Sequence, residues 1–462
     1  MENNRDDISE KKYSTWTHFA FNMTMIMLPA TYGMFSTQFF WFYETEILLP
    51  VIFISLAQII FIVWDAFNDP LIGYLSDRPN KFTRKYGRRF PFIMIMSIPT
   101  MLSLILLFTP PTVNAQTNPW PIFIWILIIL AIHEFGYTSV SLVRALYPEK
   151  FRSDKERKKN SGISIITYNI GLFLGFVIPF GFIVVGDQPS YWIAATILMV
   201  PCLIFFLLGI PAIREDKEMI ERNLQAKREP FFATLKSALK RKNFIALAIV
   251  SISTQAFAAC IMGSINYWVN FVLVVPGDIQ LDVIIMIVWL LMVLASMPFW
   301  LFLSHRIGNK KLQLIALIAT ICSIIPFIFA RDLISALISI SIIGFTTGGT
   351  TFIRYPIFGD LIDEVTILDK KRQEGVYQGV FVFFDRIGIL LQPIIFAVVH
   401  ILTNFDPEST TQTSLAQQGI IAAATWIPGI VIVIAGLIFW KVYDLTLEKT
   451  LVNKNKLKEL GL

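Results

Sequence analysis

The chain has 462 residues, 55% of them hydrophobic and only 16% charged, whereas soluble domains carry about 25% charged residues. A water-soluble fold of this length has too little interior to hide so much apolar surface, which excludes a large soluble protein. The net charge of +6 comes with no RNA- or DNA-binding motif, so a nucleic-acid partner is excluded as well.

Apolar runs long enough to cross a bilayer recur along the whole chain. Twelve spans are expected, over 17–43, 49–76, 90–109, 120–147, 162–185, 190–211, 243–274, 281–303, 312–330, 333–359, 376–402 and 418–441. The first is too long for a cleaved signal peptide and has no small-residue cleavage site after it, so it reads as a retained span. Of the 39 Lys and Arg, Arg144, Arg354 and Arg386 fall inside expected spans. Arg331 falls in a loop after an odd-numbered span. The others gather at the two termini and at the loops and span edges that follow even-numbered spans. The positive-inside rule then puts both termini in the cytoplasm. Cys202, Cys260 and Cys322 all fall within spans, lack metal-ligand spacing and read as small apolar residues.

The longest charged stretch between spans, 212–242, divides the chain. An N-terminal six-helix bundle is expected over 1–211, a cytoplasmic linker over 212–242, and a C-terminal six-helix bundle with a cytoplasmic tail over 243–462. Met219, Ile220 and Leu224, then Phe231, Phe232, Leu235 and Leu239, suit short amphipathic helices on the membrane surface. The two halves echo each other. "KYGRRF" follows the second span and "SHRIGNKKL" the eighth, each a tight basic loop between the second and third spans of a six-span unit. Internal repeats of this kind mark secondary transporters, whose sites lie at the midplane.

Ionisable residues inside spans cost roughly 2.5–3.5 kcal/mol on insertion scales and are functional candidates by default. In "WDAFNDP", residues 64–70, Asp65 and Asp69 stand at i and i+4 on one helix face, with Asn68 on much of that face and Pro70 removing a backbone donor beside it. Two carboxylates about 6 Å apart repel in a low dielectric, so one takes a proton or a cation lies between them. A hard monovalent cation suits such oxygen ligands. The alternative is a structural pair satisfied by arginines from neighbouring spans. The other charges inside spans are Glu134, Arg144, Arg354, Asp385 and Arg386. Adjacent helical residues diverge, so Asp385 and Arg386 point different ways, and so do His133 and Glu134. The four histidines form no cluster, and HExxH, GxGxxG and Walker A patterns are missing. This excludes the common enzyme classes and any visible ATP-driven engine. Pairs such as Gly171/Gly175 have the spacing of close helix contacts.

"WDAFNDP" (64–70), "DR…YGRRFP" (77–91), "DKERKKN" (154–160), "FGDLIDE" (358–364) and "KRQEGVYQGVFVFFDRIG" (371–388) together resemble the glycoside–pentoside–hexuronide:cation symporters. These are major facilitator superfamily transporters typified by the melibiose permease, with sodium–lysophospholipid symporters as relatives. The resemblance covers nearly the whole chain. It implies an all-α membrane protein with twelve transmembrane helices in two pseudo-symmetric six-helix bundles. It implies that Asp65, Asn68 and Asp69 bind the coupling cation, with Asp65 and Asp69 the candidate Na⁺ ligands. Arg386 stands where the family usually has a lysine. Asp77, Arg78, Gly87, Arg88, Asp360, Asp363 and Arg372 match positions of a cytoplasmic gate. Trp64, Tyr137, Arg144, Arg354 and Arg386 are the expected substrate-contacting residues.

The departures concern the sugar. "MTMIMLPATYGM" on the first span has no acid where the melibiose permease holds its sugar. Val140 and Arg144 replace an acid and a stacking tryptophan on the fourth span, and "ISIITYNIGLFLG" has no arginine on the fifth. These changes lean toward an acidic substrate. The expected function is cation (Na⁺ or H⁺)-coupled symport of a sugar, glycoside or related anionic solute, with no enzyme activity and no cofactor beyond the coupling ion. The alternative is an uncoupled facilitator or a lipid- or lysolipid-handling transporter. The expected partners are a small-molecule substrate, the coupling cation and membrane lipids, for a monomer in the plasma membrane.

Overall fold

Inside a bilayer every backbone N–H and C=O must find a partner within its own segment, which leaves helices as the economical solution for a chain like this. The computed structural model describes residues 12–77, 86–87, 89–151, 153–215, 220, 237–274, 281–370 and 374–460. Among the described residues there is helix and turn but no strand. Two compact units result. Unit 1 comprises Met1–Phe42 and Val63–Lys227, and unit 2 comprises Tyr43–Ile62 and Arg228–Leu462.

In unit 1 the first expected span is two helices, α1 (Thr15–Met23) and α2 (Met27–Trp41). Pro29 explains the break, because its ring clashes with the carbonyl four residues back and it offers no N–H. Ser14 caps α1 by accepting from Thr17 N. A π-helical turn, Phe42–Glu46, leads into α3 (Val51–Asp77), which begins in unit 2 and continues into unit 1. Then come α4 (Phe90–Leu107), α5 (Trp120–Ser141), α6 (Val143–Lys150), α7 (Asp154–Phe182) and α8 (Gln188–Ile213). The expected fourth span therefore ends at Ser141, and Arg144 belongs to the short α6. Helix α2 packs on α7, α4 on α5 and α1 on α8. The α2–α7 contact depends on Gly175, where a Cβ would come within 2.3 Å of the Ala30 carbonyl oxygen. Only a residue without a side chain allows backbones that close.

Unit 2 contains α9 (Lys242–Phe271), α10 (Leu281–Ile307), α11 (Asn309–Phe329), α12 (Leu333–Asp369), α13 (Glu374–Leu402), α14 (Ser414–Ala424), α15 (Trp426–Val442) and α16 (Leu447–Leu460). Helix α12 packs on α10 and α11, while α9 packs on α13 and α15. Asp332 and Ser335 form a reciprocal capping box at the start of α12, satisfying donors that every helix N-terminus leaves open. With 37 residues, α12 is about 55 Å long, well beyond the roughly 30 Å hydrocarbon layer. Its far end meets the tail helix α16. Asp444, between α15 and α16, receives hydrogen bonds from Lys242 Nζ at 2.6 Å, Asn243 Nδ2 at 2.8 Å and Lys449 Nζ at 2.9 Å. Partial burial works against its charge, but these three donors outweigh it and hold the carboxyl well below the usual carboxylate range.

Ten helical segments among the described residues, the last formed by α14 and α15 together, are long and apolar enough to cross a membrane, and they coincide with expected spans 3–12. Spans 1 and 2 fall on α1–α2 and on α3, whose apolar part is Val51–Asp65.

Candidate cation and substrate site

The first fourteen residues of α3 are apolar except for Ser55, Gln58 and Trp64's ring nitrogen, and Ser55 turns its hydroxyl onto the Pro393 carbonyl at 2.9 Å. Polarity then rises. Asp65 is buried, and Asn68, one turn on, is wholly buried. Asn68 Nδ2 donates to the main-chain oxygen of Glu134 at 3.1 Å and to Thr138 Oγ1 at 2.9 Å. Thr138 in turn donates to Glu134 Oε1 at 3.1 Å. A carbonyl oxygen only accepts, so the amide nitrogen must face it, and this fixes the orientation of the Asn68 side chain. Its oxygen Oδ1 is left buried with no hydrogen-bond partner among the described residues. A buried amide acceptor of this kind is costly unless something completes it.

The structure thus brings Asn68, one turn from Asp65 on α3, together with Glu134 and Thr138 on α5. The α5 pair carried no spacing signal relative to α3, because only the packing joins them. The backbone of Asp69 belongs to α3, and its side chain lies outside the described residues. His133 does diverge from Glu134 and pairs with Ser103 Oγ at 2.9 Å. Trp64 is 38% exposed. Tyr137 is half-buried on α5 with its ring 6.1 Å from that of His133, and Arg144 is exposed.

In unit 2, Arg354 forms an ion pair with Asp385, which also accepts from Ser251 Oγ. The Arg354 guanidinium lies over the Phe381 ring, 5.1 Å from its centroid. Arg354 was expected at the substrate, and here its charge is met by Asp385 from within the same unit. Asp385 therefore faces α9 and α12, while Arg386, half-buried, is turned a further 100° around α13.

Of the expected gate positions, Arg78, Arg88 and Arg372 lie outside the described residues, as does the side chain of Asp77. Asp360 is buried and accepts from Asn309 Nδ2 at 2.6 Å, and Asp363 is half-buried. Gly87 has φ +88°, and a Cβ there would come within 2.5 Å of Glu215 Oε1. That carboxylate accepts from Arg89 N at 2.8 Å and Phe90 N at 3.2 Å, so Glu215, at the head of the expected linker, caps α4 from a distance. No sequence signal marked Glu215 for this. A carboxylate at a helix N-terminus is favourable through the open donors and the helix dipole, and the positive φ makes glycine the natural residue beside it.

The description MFS/sugar transport protein belongs to a family profile that matches residues 16–446. The chain belongs to that family. It is an integral membrane transporter and not an enzyme. Among its relatives, the sodium-dependent lysophosphatidylcholine symporter 1 of Mus musculus is 22% identical over 437 residues, covering 86% of this chain and 79% of the relative. The uncharacterized symporter YnaJ of Bacillus subtilis (strain 168) is 23% identical over 446 residues, covering 93% and 91%. Among solved structures, the nucleoside transporter NupG is similar with a TM-score of 0.66 at 15% identity, covering 92% of this chain and 99% of that one. A D-xylose-proton symporter is similar with a TM-score of 0.62 at 13% identity, covering 92% and 98%. The two structures support the major facilitator fold.

Proposed function

We propose that this transporter is a symporter whose coupling cation, Na⁺ or H⁺, binds on α3 at Asp65, Asn68 and Asp69, in the plasma membrane with both termini cytoplasmic. One observation carries the assignment. Asn68 is wholly buried, its amide nitrogen is spent on Glu134 and Thr138, and its oxygen is left as a buried acceptor one turn from Asp65. A cation completes that oxygen and offsets the buried carboxylate beside it. Neutralising the carboxylates removes the repulsion that opposes closing the site, which ties substrate capture to cation binding. The substrate class that the family description supports is a sugar, a glycoside or a related solute. The mouse relative's name supports a second reading, a lysolipid on the same fold.

The test is a sodium titration of the purified protein by calorimetry at two pH values, beside Asp65→Asn and Asp69→Asn. Saturable binding that both substitutions remove is the expected result. Proton uptake in place of sodium binding, also removed by both, makes H⁺ the coupling ion. If neither signal is seen, the aspartates are structural and transport is uncoupled.

A further inference from the structure

Unit 2 contains a further buried acid, apart from Asp360 and Asp385, that the cation site does not use. Glu44, on the π-helical turn Phe42–Glu46, is 3% exposed. Tyr267 Oη on α9 lies 2.5 Å from its Oε2. His400 Nδ1 on α13 lies 2.9 Å from Oε1 and 3.0 Å from Oε2. His400 and Tyr267 are as deeply buried as the acid. Aromatic rings close the cluster: Phe405 stacks on the imidazole at 4.6 Å and Phe396 at 5.6 Å, and the Tyr267 ring stands edge-on at 5.1 Å.

Charge counting shows what this cluster requires. Tyr267 is a neutral donor, so among the described residues His400 is the group bonded to Glu44 that can balance its charge. A carboxylate and a neutral imidazole would leave one net negative charge sealed among aromatic rings, a costly state. One added proton, on the imidazole or on the carboxyl, makes the cluster neutral and keeps every hydrogen bond. The other ionisable side chains on the elements packed around it do not take over this task. Glu46 on the same turn, Asp406 and Glu408 after α13, and Asp282 on α10 are all acidic. Arg331, between α11 and α12, points its guanidinium at the Ile328 and Ala330 carbonyl oxygens. Helix α14 carries no ionisable residue.

The backbone around Glu44 is unusual in a way that suits a movable element. A π-helical turn is rare and concentrates at functional sites. Leu48, two residues past its end, is left-handed at φ +59°, an outlier for a bulky side chain that persists only where the surroundings enforce it. Leu49 N closes the turn on the Tyr43 carbonyl oxygen at 2.9 Å.

We propose that Glu44, His400 and Tyr267 form a proton-binding site in unit 2, and that the bound proton latches the Tyr43–Ile62 segment onto α9 and α13. Because α3 runs unbroken from Val51 to Asp77, the latch fixes the N-terminal end of the helix that carries Asp65 and Asn68. When the proton leaves, the buried negative charge is relieved by the turn moving to water, and that end of α3 comes free.

Hydrogen exchange read by mass spectrometry on the full-length protein in detergent tests this, and it needs neither substrate nor sodium. Its outcome is therefore separate from that of the coupling-site titration. After correction for base catalysis of exchange, the peptide 43–50 should be protected at pH 6.5 and should exchange about 100-fold faster at pH 9, the scale expected when a buried ion pair loses one partner. Peptides from α10 should show no such excess. In a Glu44→Gln/His400→Gln double variant the corrected rate should be equal at the two pH values. Equal corrected rates in the unaltered protein would overturn the proposal, and so would a pH effect that survives in the double variant. The arm on the unaltered protein decides by itself if that variant does not fold.

Discussion

Asn68→Asp is a nearly isosteric change with an outcome opposite to simple charge counting. An added carboxylate beside Asp65 raises the local negative charge, and electrostatics alone would tighten cation binding. The geometry predicts the reverse. Asn68 Nδ2 faces the Glu134 carbonyl oxygen at 3.1 Å, so an oxygen in its place sets acceptor against acceptor. Thr138 can turn its hydroxyl toward the new carboxylate only by giving up Glu134 Oε1, 3.1 Å away. Two hydrogen bonds are lost, at about 1 kcal/mol each, and a buried acceptor is left unmade at a further cost of about 1–3 kcal/mol. We expect a loss of about 3–5 kcal/mol at pH 8 on that arithmetic. At pH 5 a proton on the new carboxyl can again donate to the Glu134 carbonyl and recover much of it. Asn68→Ala, which removes both donors without adding an acceptor, should lose about 2 kcal/mol with no pH dependence. Thermal unfolding in detergent reads stability, and calorimetry reads sodium binding, which should fall at least tenfold in both variants. An Asn68→Asp protein that unfolds like the parent at pH 8 and binds sodium more tightly would refute the assigned amide orientation and the role of Oδ1.

Three further outcomes follow from single contacts. Asp385→Asn leaves Arg354 partly buried without its counter-ion and should cost about 3–5 kcal/mol; adding Arg354→Met should restore thermal stability, and transport restored with it would place the pair outside substrate binding. Gly175→Ala forces a Cβ against the Ala30 backbone, 2.3 Å from its oxygen, so α2 and α7 must part by about 1 Å at a cost of about 1–3 kcal/mol; Gly181→Ala, with nothing within 4 Å of its Cβ, is the control and should unfold like the parent. Asp444 has its carboxyl held below the ordinary value of 3.8, so the stability it contributes is complete above that pH and fades only as pH falls below it. Limited proteolysis of α16 should therefore be flat from pH 5 to 8, and Asp444→Asn should speed it throughout that range.

The spans were readable because a membrane imposes one rule, a long apolar run, on each of them. Spans 3–12 needed no partner information. The first was harder, since hydropathy does not register the break between α1 and α2 and only Pro29 hints at it. The Arg144 segment reads as continuous with span 4 for a similar reason: an end-to-end apolar run conceals the turn at Leu142. Asp65, Asn68 and Asp69 stood out because polar atoms in an apolar helix are conspicuous by themselves. Glu134 was equally conspicuous, but its link to Asn68 through Thr138 joins residues 66 and 70 positions apart, and helical periodicity does not reach across helices. Glu44 escaped notice altogether. It sits at a span edge, where an acid is unremarkable, and only the fold shows that His400 and Tyr267 enclose it.

The same limit bears on the substrate. Counted along the sequence, Arg144, Arg354 and Arg386 look like three cationic groups awaiting an anion. Arg354 already has Asp385 as a counter-ion within its own unit, so Arg144 and Arg386 are the two to test first against an acidic substrate. Arg144 is exposed and Arg386 half-buried, so Arg386 is the better placed for selectivity: a planar fork held partly out of water can grip a carboxylate or phosphate with two parallel hydrogen bonds. Arg386→Lys keeps the charge and loses the fork, while Arg386→Gln loses both. For an anionic substrate, KM should rise about tenfold in the lysine variant and further in the glutamine variant, at the 1.5–3 kcal/mol typical of a charged hydrogen bond. For a neutral glycoside the two variants should differ little from each other. Uptake measured with one neutral and one anionic glycoside in both variants separates the cases, and equal KM changes for the two substrates would remove Arg386 from the selectivity argument.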